Sequence, residues 1–347
     1  MIEQSTDTSS FFEPEEIKPT VVVEEPTIID TEKKKKAITV SFSQYGMWLK
    51  CPFRWKLSYM DYLAKYDASI NTAFGDAIHV PLQSYLSALY TKGTVEADSI
   101  DMYGLFDKTF DEGLKELKIA TEAQVKMLAA EDLEELGLIT PALVEEFKQD
   151  GKNILDHVLS PTVRRKHFPS KVFELVGVEL PLFIPIRGGT IMYKGYLDIV
   201  LRDKVTKKIL ILDFKTSTFG WNKYQKADRT KIDQLLLYKR FYSMFHNIPM
   251  NDITVEFFIL KRKLYEDVAF PQQRIQRISP PDGKMSIKMV ETAFFEFINE
   301  CFTLDGLPNK EHHFLKNPDK GKKNCKYCPF KTMVNEKGEK YCDGKEG

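Results

Sequence analysis

Asp198, Asp213 and Lys215 are charged residues set inside two otherwise apolar runs. The first run is Tyr193-Lys194-Gly195-Tyr196-Leu197-Asp198-Ile199-Val200-Leu201-Arg202, and the second is Ile209-Leu210-Ile211-Leu212-Asp213-Phe214-Lys215-Thr216. The polar stretch Asp203-Lys204-Val205-Thr206-Lys207-Lys208 separates them, so an antiparallel hairpin is predicted. With the turn centred between Val205 and Thr206, opposed residue numbers sum to 411, which sets Asp198 across from Asp213. The same register pairs Leu197 with Phe214, Ile199 with Leu212 and Leu201 with Leu210. One face is then expected to be wholly apolar and the other to carry Asp198, Asp213 and Lys215. A slip of one residue would scramble both faces.

Cross-strand neighbours have Cβ atoms about 5 Å apart, so two carboxylates would converge in apolar surroundings. That is costly unless something positive lies between them. A hard divalent cation is the simplest candidate, since Mg²⁺ takes carboxylate oxygens and waters. A cation beside Lys215 suits attack on a phosphodiester. The cation activates water and neutralises developing charge, and the ammonium orients the nucleophile or stabilises the pentacovalent oxygens. The competing reading is an internal salt bridge between Lys215 and one of the two aspartates.

Other residues could complete such a site. His79, in Phe74-Gly75-Asp76-Ala77-Ile78-His79, falls on a predicted helix and is a candidate third metal ligand. Glu179 is a lone acid in an apolar strand and suits either a metal or a Lys/Arg partner. Gln234 and Tyr238 are four apart and share a helix face, where they could hold a nucleic-acid strand or Lys215, or simply form a half-buried helix.

Cys325-Lys326-Tyr327-Cys328-Pro329 is a two-residue-spaced pair in a polar segment, followed by Cys342, with Cys51 far upstream. The segment from 308 onward is nearly free of aliphatic residues, so something must hold it down. Four thiolates could hold Zn²⁺ or an iron–sulfur cluster, and spacing alone favours zinc as the commoner structural ion. Cys301 lies in a helical apolar pattern and is expected in the core.

The elements that must position these groups follow from periodicity. Helix is predicted over 44 to about 62, over 71–90 with an interruption at Pro81, and over 99–159 with breaks at Gly137 and Pro141. Strands are predicted over 173–186, 191–202, 208–216 and 253–261, with further helices over 228–244 and 284–302. The sum is a small mixed sheet flanked by helices.

The 347 residues have 43% hydrophobic and 29% charged composition, which excludes a disordered, collagen-like or coiled-coil chain. The net charge of zero conceals an asymmetry. Residues 1–30 hold eight acids and one base, leaving about +7 on the remainder, a balance compatible with a polyanionic partner. Residues 1–36 read as an unstructured acidic tail ending in four lysines. No apolar run reaches the roughly 18 residues that span a bilayer, and no secretory signal is evident. The expected setting is cytoplasmic, with no membrane partner.

Several motifs stand in a particular order: Ser41-Phe42-Ser43 to Cys51-Pro52-Phe53, Gly75-x-x-x-His79, Gly195-x-x-Asp198, Asp213-x-Lys215-Thr216-Ser217 and Gln234-x-x-x-Tyr238. Together they resemble the PD-(D/E)XK nuclease superfamily and, within it, RecB-like exonucleases. The iron–sulfur branch is the nearest look: AddB-type helicase-nuclease subunits, CRISPR-associated RecB-like nucleases and phage relatives. The resemblance covers about 41–90 and 173–347.

It implies an α/β restriction-endonuclease-like core and a metal-dependent DNA exonuclease acting in recombination, repair or phage DNA processing. In that reading Asp198, Asp213 and His79 bind Mg²⁺ or Mn²⁺, Lys215 is catalytic, and Gln234 and Tyr238 support the site or the DNA. Cys51, Cys325, Cys328 and Cys342 ligate a [4Fe–4S] cluster, with structural Zn²⁺ as the alternative. The implied division is a tail at 1–37, a nuclease domain at 38–307 with a helical insertion at 95–160, and a cysteine staple at 308–347. The implied partner is DNA, single-stranded or with free ends; recombination or replication proteins are not identified. One departure is the gap from Pro329 to Tyr341, longer than the family's short spacing, which Asn335-Glu336-Lys337-Gly338-Glu339 could fold into a small hairpin. Other readings are a non-catalytic DNA-binding or assembly subunit, or a structure-specific endonuclease.

Overall fold

The computed structural model describes residues 37–63, 68–135, 137–266, 268–326 and 328–345. The acidic tail at 1–36 lies outside the described residues. In chain order the elements are β1 (Ile38–Ser41), α1 (Phe42–Lys50), α2 (Pro52–Trp55), α3 (Ile70–Thr91), α4 (Thr94–Asp98), α5 (Met102–Leu114), α6 (Glu122–Met127), α7 (Ala130–Glu135), α8 (Pro141–Leu159) and α9 (Pro161–His167). There follow β2 (Phe173–Ile186), β3 (Ile191–Asp203), β4 (Ile209–Ser217), α10 (Lys223–Lys226), α11 (Arg229–His246), β5 (Ile253–Lys261), β6 (Ile275–Ile278) and α12 (Lys284–Cys301).

Six strands form one mixed sheet. A strand has two edges, and β3 uses both unusually. Antiparallel β2 runs along one edge for the length of β3, from Phe173↔Asp203 to Ile186↔Ile191. The other edge is divided. β1 pairs parallel with the start of β3, from Ile38↔Ile191 to Ser41↔Lys194. β4 pairs antiparallel with its end, from Ile199↔Leu212 to Arg202↔Ile209. Residues 195–198 fall between the two partners, so the sheet forks there. Beyond the fork, β4 pairs parallel with β5, and β6 closes the far edge. The β4-to-β5 crossover carries α11, as parallel pairing requires.

Helices cover both faces, giving an α/β three-layer architecture. On one side Tyr45, Tyr238, Phe241, Phe294 and Phe297 from α1, α11 and α12 pack on Val200, Ile211, Val255 and Phe257. On the other, Phe74, Phe106, Phe110 and Phe147 from α3, α5 and α8 pack on Ile199, Leu212, Phe214 and Phe258. Helices from 95–160 therefore share the core that carries α3 and β4.

Two helix expectations need correction. The single helix over 44–62 is broken at Cys51, whose backbone is extended; Pro52 opens α2, and a π-turn follows over Lys56–Met60. A proline has no N–H to continue α1, and Cys51 takes the extended backbone between the two helices. At Pro81 the reverse holds: α3 runs through it from Ile70 to Thr91. The lost hydrogen bond is outweighed by burial of Ala77, Ile78, Leu82, Tyr85 and Leu86 on that helix.

Candidate active site

The fork brings the chemistry together. Where the ladder between β3 and β4 ends at Ile199↔Leu212, the Asp198 carboxylate replaces a backbone partner: its Oδ2 accepts the N–H of Phe214 at 2.6 Å. Asp198 is 8% exposed. The register sum of 411 holds throughout the observed ladder. The expected face pattern does not hold at its end. Ile199 and Leu201 pack on the α3 side, as expected, but Leu197 packs in the opposite core with Tyr193 and Val200. Alternation therefore slips at Asp198, because β3 changes partners there, and Leu197 does not share a face with Phe214.

Three potential ligand groups meet at this point. His79 of α3, Glu179 of β2 and Asp198 of β3 each offer one donor atom, and these atoms lie within 4.8 Å of one another. His79 Nδ1 stands 3.8 Å from Asp198 Oδ2. Glu179 sits between Val178 and Leu180, which pair with Ile199 and Leu197, so it lies across β2 from Asp198. Its backbone adopts φ 46°, a left-handed conformation that costs a non-glycine residue of order 1–3 kcal/mol. The Gln83 amide, one turn beyond His79 on α3, donates to its carboxylate. Asp213, expected as a ligand, is not among the three. It is 2% exposed and faces Lys215, with Asp213 Oδ2 to Lys215 Nζ at 2.6 Å. Asp213 Oδ2 is buried, and the Lys215 ammonium is the charge that compensates it.

The electrostatics fit a cation site. Burial, then the neighbouring Asp213, pushes the Asp198 carboxyl well above its usual range, against the opposing pull of Lys215 and the Phe214 N–H. Burial, then the Lys215 ammonium, holds His79 below the usual imidazole value, so it is a neutral donor near pH 7. Burial alone would lower Lys215, but Asp213 and then Asp198 outweigh it and raise its pKa. Two carboxylates and a neutral imidazole whose donor atoms lie within 4.8 Å of one another are a donor set that suits a hard divalent ion.

Gln234 and Tyr238 lie on α11, beneath the fork. Gln234 Nε2 and the Tyr238 hydroxyl are 3.0 Å apart, and Tyr238 is 5% exposed. Burial raises the Tyr238 phenol pKa. Its ring explains Gly195: a Cβ there would lie 2.9 Å from Tyr238 Cε1 and 3.2 Å from Tyr193 Cε1. Gly75 carries no such demand, its nearest neighbour being Thr216 Oγ1 at 3.7 Å. Gln83 went unrecognised in the sequence; its place four residues after His79 was the available signal.

The second cluster is at the opposite chain end. Cys51, Cys325, Cys328 and Cys342 line one cavity, with Arg54, Asn324 and Phe330 among its walls. The tail is pinned there by Asn324 Nδ2 donating to Lys50 O at 2.9 Å and by Phe53 N donating to Leu315 O at 3.1 Å. The expected hairpin is present: Val334 and Lys340 form an antiparallel bridge, and Gly338 takes φ 77° at its turn. It folds the long gap back, returning Cys342 to Cys325 and Cys328. Burial, then the other three thiols, raises the Cys325 pKa. Cys301 is fully buried in the core, as expected.

Among the described residues no helix is long and apolar enough to cross a membrane. Residues 39–333 match the sequence model of the PD-(D/E)XK nuclease superfamily. No curated protein matches the chain. A solved structure from Eubacterium rectale, named "Putative exonuclease", aligns with a TM-score of 0.45 and 11% identity, covering 90% of this chain and 96% of its own.

Proposed function

The chain belongs to the PD-(D/E)XK nuclease superfamily, and from that premise we propose that it is a Mg²⁺- or Mn²⁺-dependent DNA exonuclease. The observation that carries the reading is the meeting of His79, Glu179 and Asp198 donors within 4.8 Å, next to the Asp213–Lys215 pair. When bound, a divalent cation supplies charge neutralisation and an activated water. The protein's own groups do the rest. Asp198 and Glu179 supply carboxylate oxygens and His79 a neutral ring nitrogen. Asp213, buried beside Lys215, keeps the lysine cationic. The ammonium orients the nucleophile and steadies charge on the phosphate oxygens. Tyr238 and Gln234 form a fixed floor under Gly195, so the backbone leading to Asp198 cannot sag.

The helices at 95–160 would wall one side of the path for a DNA end. The excess positive charge of residues 31–347 supports sequence-independent backbone contacts. The test is digestion of linear and covalently closed circular DNA with Mg²⁺, with Mn²⁺ and with chelator. Loss of linear DNA alone, and only with metal, is the expected result. Cutting of the closed circle would make the protein an endonuclease; turnover in chelator would remove the metal.

The four cysteines are proposed to hold a [4Fe–4S] cluster in place of zinc. All four thiols line one cavity, and the order of the motifs, with Cys51 upstream and the other three at the end, is what favours the cluster. Anaerobic purification should give a brown protein with iron and sulfide; a colourless protein with stoichiometric zinc would overturn the assignment.

A further inference from the structure

Just past Lys215 the chain exposes two aromatic rings that pair with each other. Phe219 and Tyr265 are 43% and 57% exposed, and their rings stack on each other with centroids 4.7 Å apart and planes 10° apart. They sit on the two loops that leave the parallel pair β4 and β5. Four residues of chain, at most about 13 Å, separate Phe219 from Lys215.

Both loops are held firmly. The pairing of β4 and β5 continues past the strands, with Arg262 N donating to Ser217 O at 2.8 Å and Lys263 N to Thr218 O at 2.7 Å. Gln276 clamps the Phe219 loop, accepting from Trp221 N at 2.7 Å and donating to Trp221 O at 3.1 Å. Gln272 clamps Tyr265 in the same manner, accepting from its N–H at 2.8 Å and donating to its carbonyl. Gly220 takes φ 89° and leaves room for Gln276 and Lys261, either of which a Cβ would meet at 2.9 Å. Two exposed rings on doubly clamped backbone are a prepared surface rather than floppy loop tips.

The ground between the rings and Lys215 is polar. A recess there is lined by Asn71, Thr72, Thr216, Ser217, Thr218 and Arg262, with Phe74 as its one apolar wall; Arg262 is paired with Glu146 and Asp150. Lys261 passes beside Gly220, next to Phe219, and Lys223 and Lys226 lie on α10, which follows this loop; Lys223 lies over the exposed Tyr224 ring at 5.0 Å. Hydroxyls and cations suit a phosphodiester backbone, and bare aromatic faces suit unpaired bases. Base pairs inside a duplex are stacked on both faces and present no open face to such rings.

Resting on the nuclease reading above, we propose that Phe219 and Tyr265 are a base-stacking platform that holds a single DNA strand leading to the catalytic fork. The substrate at the site is then single-stranded, or a duplex end whose terminal bases have been unpaired.

The test uses full-length protein with Asp213→Ala to prevent cutting, and the same protein carrying Phe219→Ala and Tyr265→Ala. Binding is read by fluorescence anisotropy, without catalysis, on an oligothymidine and on an abasic oligonucleotide of equal length. The platform predicts that the double substitution weakens oligothymidine binding about five-fold or more and leaves abasic binding unchanged. Unchanged oligothymidine binding, equal loss on both strands, or no binding by the parent would each overturn it. Phe219→Leu with Tyr265→Leu keeps apolar bulk on the loops and should also lose affinity. The Ala variant in the otherwise active protein should show a raised KM on single strands with kcat little changed. Absence of hydrolysis by unmodified protein would instead count against the nuclease assignment and leave the binding result standing.

Discussion

Asp198 accepts the backbone N–H of Phe214 at 2.6 Å. That bond ties the last residue before the observed ladder to the residue that separates Asp213 from Lys215. The carboxylate thereby does two things: it closes a backbone donor that the forked sheet would leave open, and it fixes its own position against the lysine-bearing strand. The fork and the site are one feature.

Asp198 should make the metal-free protein sensitive to pH. Its folded pKa is raised, by burial and then by Asp213, so its contribution favours folding below the unfolded value near 4 and is lost as pH rises through the folded value. The metal-free melting temperature should therefore carry a downward drift with rising pH that Asp198→Asn removes. His79, whose pKa is lowered, acts in the opposite sense, losing stability as pH falls below about 6.5. The comparison of Asp198→Asn with the parent isolates the carboxyl. Mn²⁺ should raise the parent's melting temperature and do little for the variant. Equal Mn²⁺ shifts in both proteins would contradict a role for Asp198 in metal binding.

Gln83 donates a hydrogen bond to Glu179 and so orients its carboxylate. Partners that orient a metal ligand typically govern 10–100-fold in metal affinity. Gln83→Leu should raise the Mg²⁺ concentration for half-maximal rate by about that factor, with the rate at saturating Mg²⁺ largely kept. A Mg²⁺ titration of activity checks this; an unmoved midpoint would assign Gln83 to packing alone.

Gly195→Ala should be costly although the residue bears no chemistry. The new Cβ would meet Tyr238 at 2.9 Å and Tyr193 at 3.2 Å, both rings being buried. Overpacking of this kind costs about 1–3 kcal/mol, measurable by urea unfolding, and activity should fall with it. Gly75→Ala, with 3.7 Å to its nearest neighbour, should be mild by comparison. Equal effects of the two would undercut the steric account of Gly195.

Cys328→Ser should loosen the C-terminal segment from α1 and α2. Visible absorption should vanish, and limited proteolysis should cut within 308–347, while 38–307 survives. A colour and protease pattern identical to the parent would remove Cys328 from the cluster.

Much of this was legible in the residues, and the exceptions have physical causes. The 411 register could be read because a polar turn and two apolar runs leave one pairing that keeps both strands buried. The Asp213–Lys215 spacing of two places both groups on one side of a strand, where they pair. The hairpin over 333–341 followed from Asn335 and Gly338, which suit a tight turn. Glu179 could not be resolved, because a lone acid on a strand gains its meaning only from Gln83 and from the strand opposite. Leu197 was misassigned because alternation assumes one continuous partner, and β3 has two on that edge. β1 and β6 have four residues each, too few to show a period.

The central claim is that Lys215 and Asp213 act on phosphodiesters together with a divalent ion. End-labelled single-stranded DNA should be incubated with Mg²⁺ and with the parent, Asp213→Ala or Lys215→Ala protein, each shown to be folded. The account predicts nucleotide release by the parent and a loss of about 10²–10³-fold or more in kcat for each variant. Variants that release nucleotides as fast as the parent would contradict it.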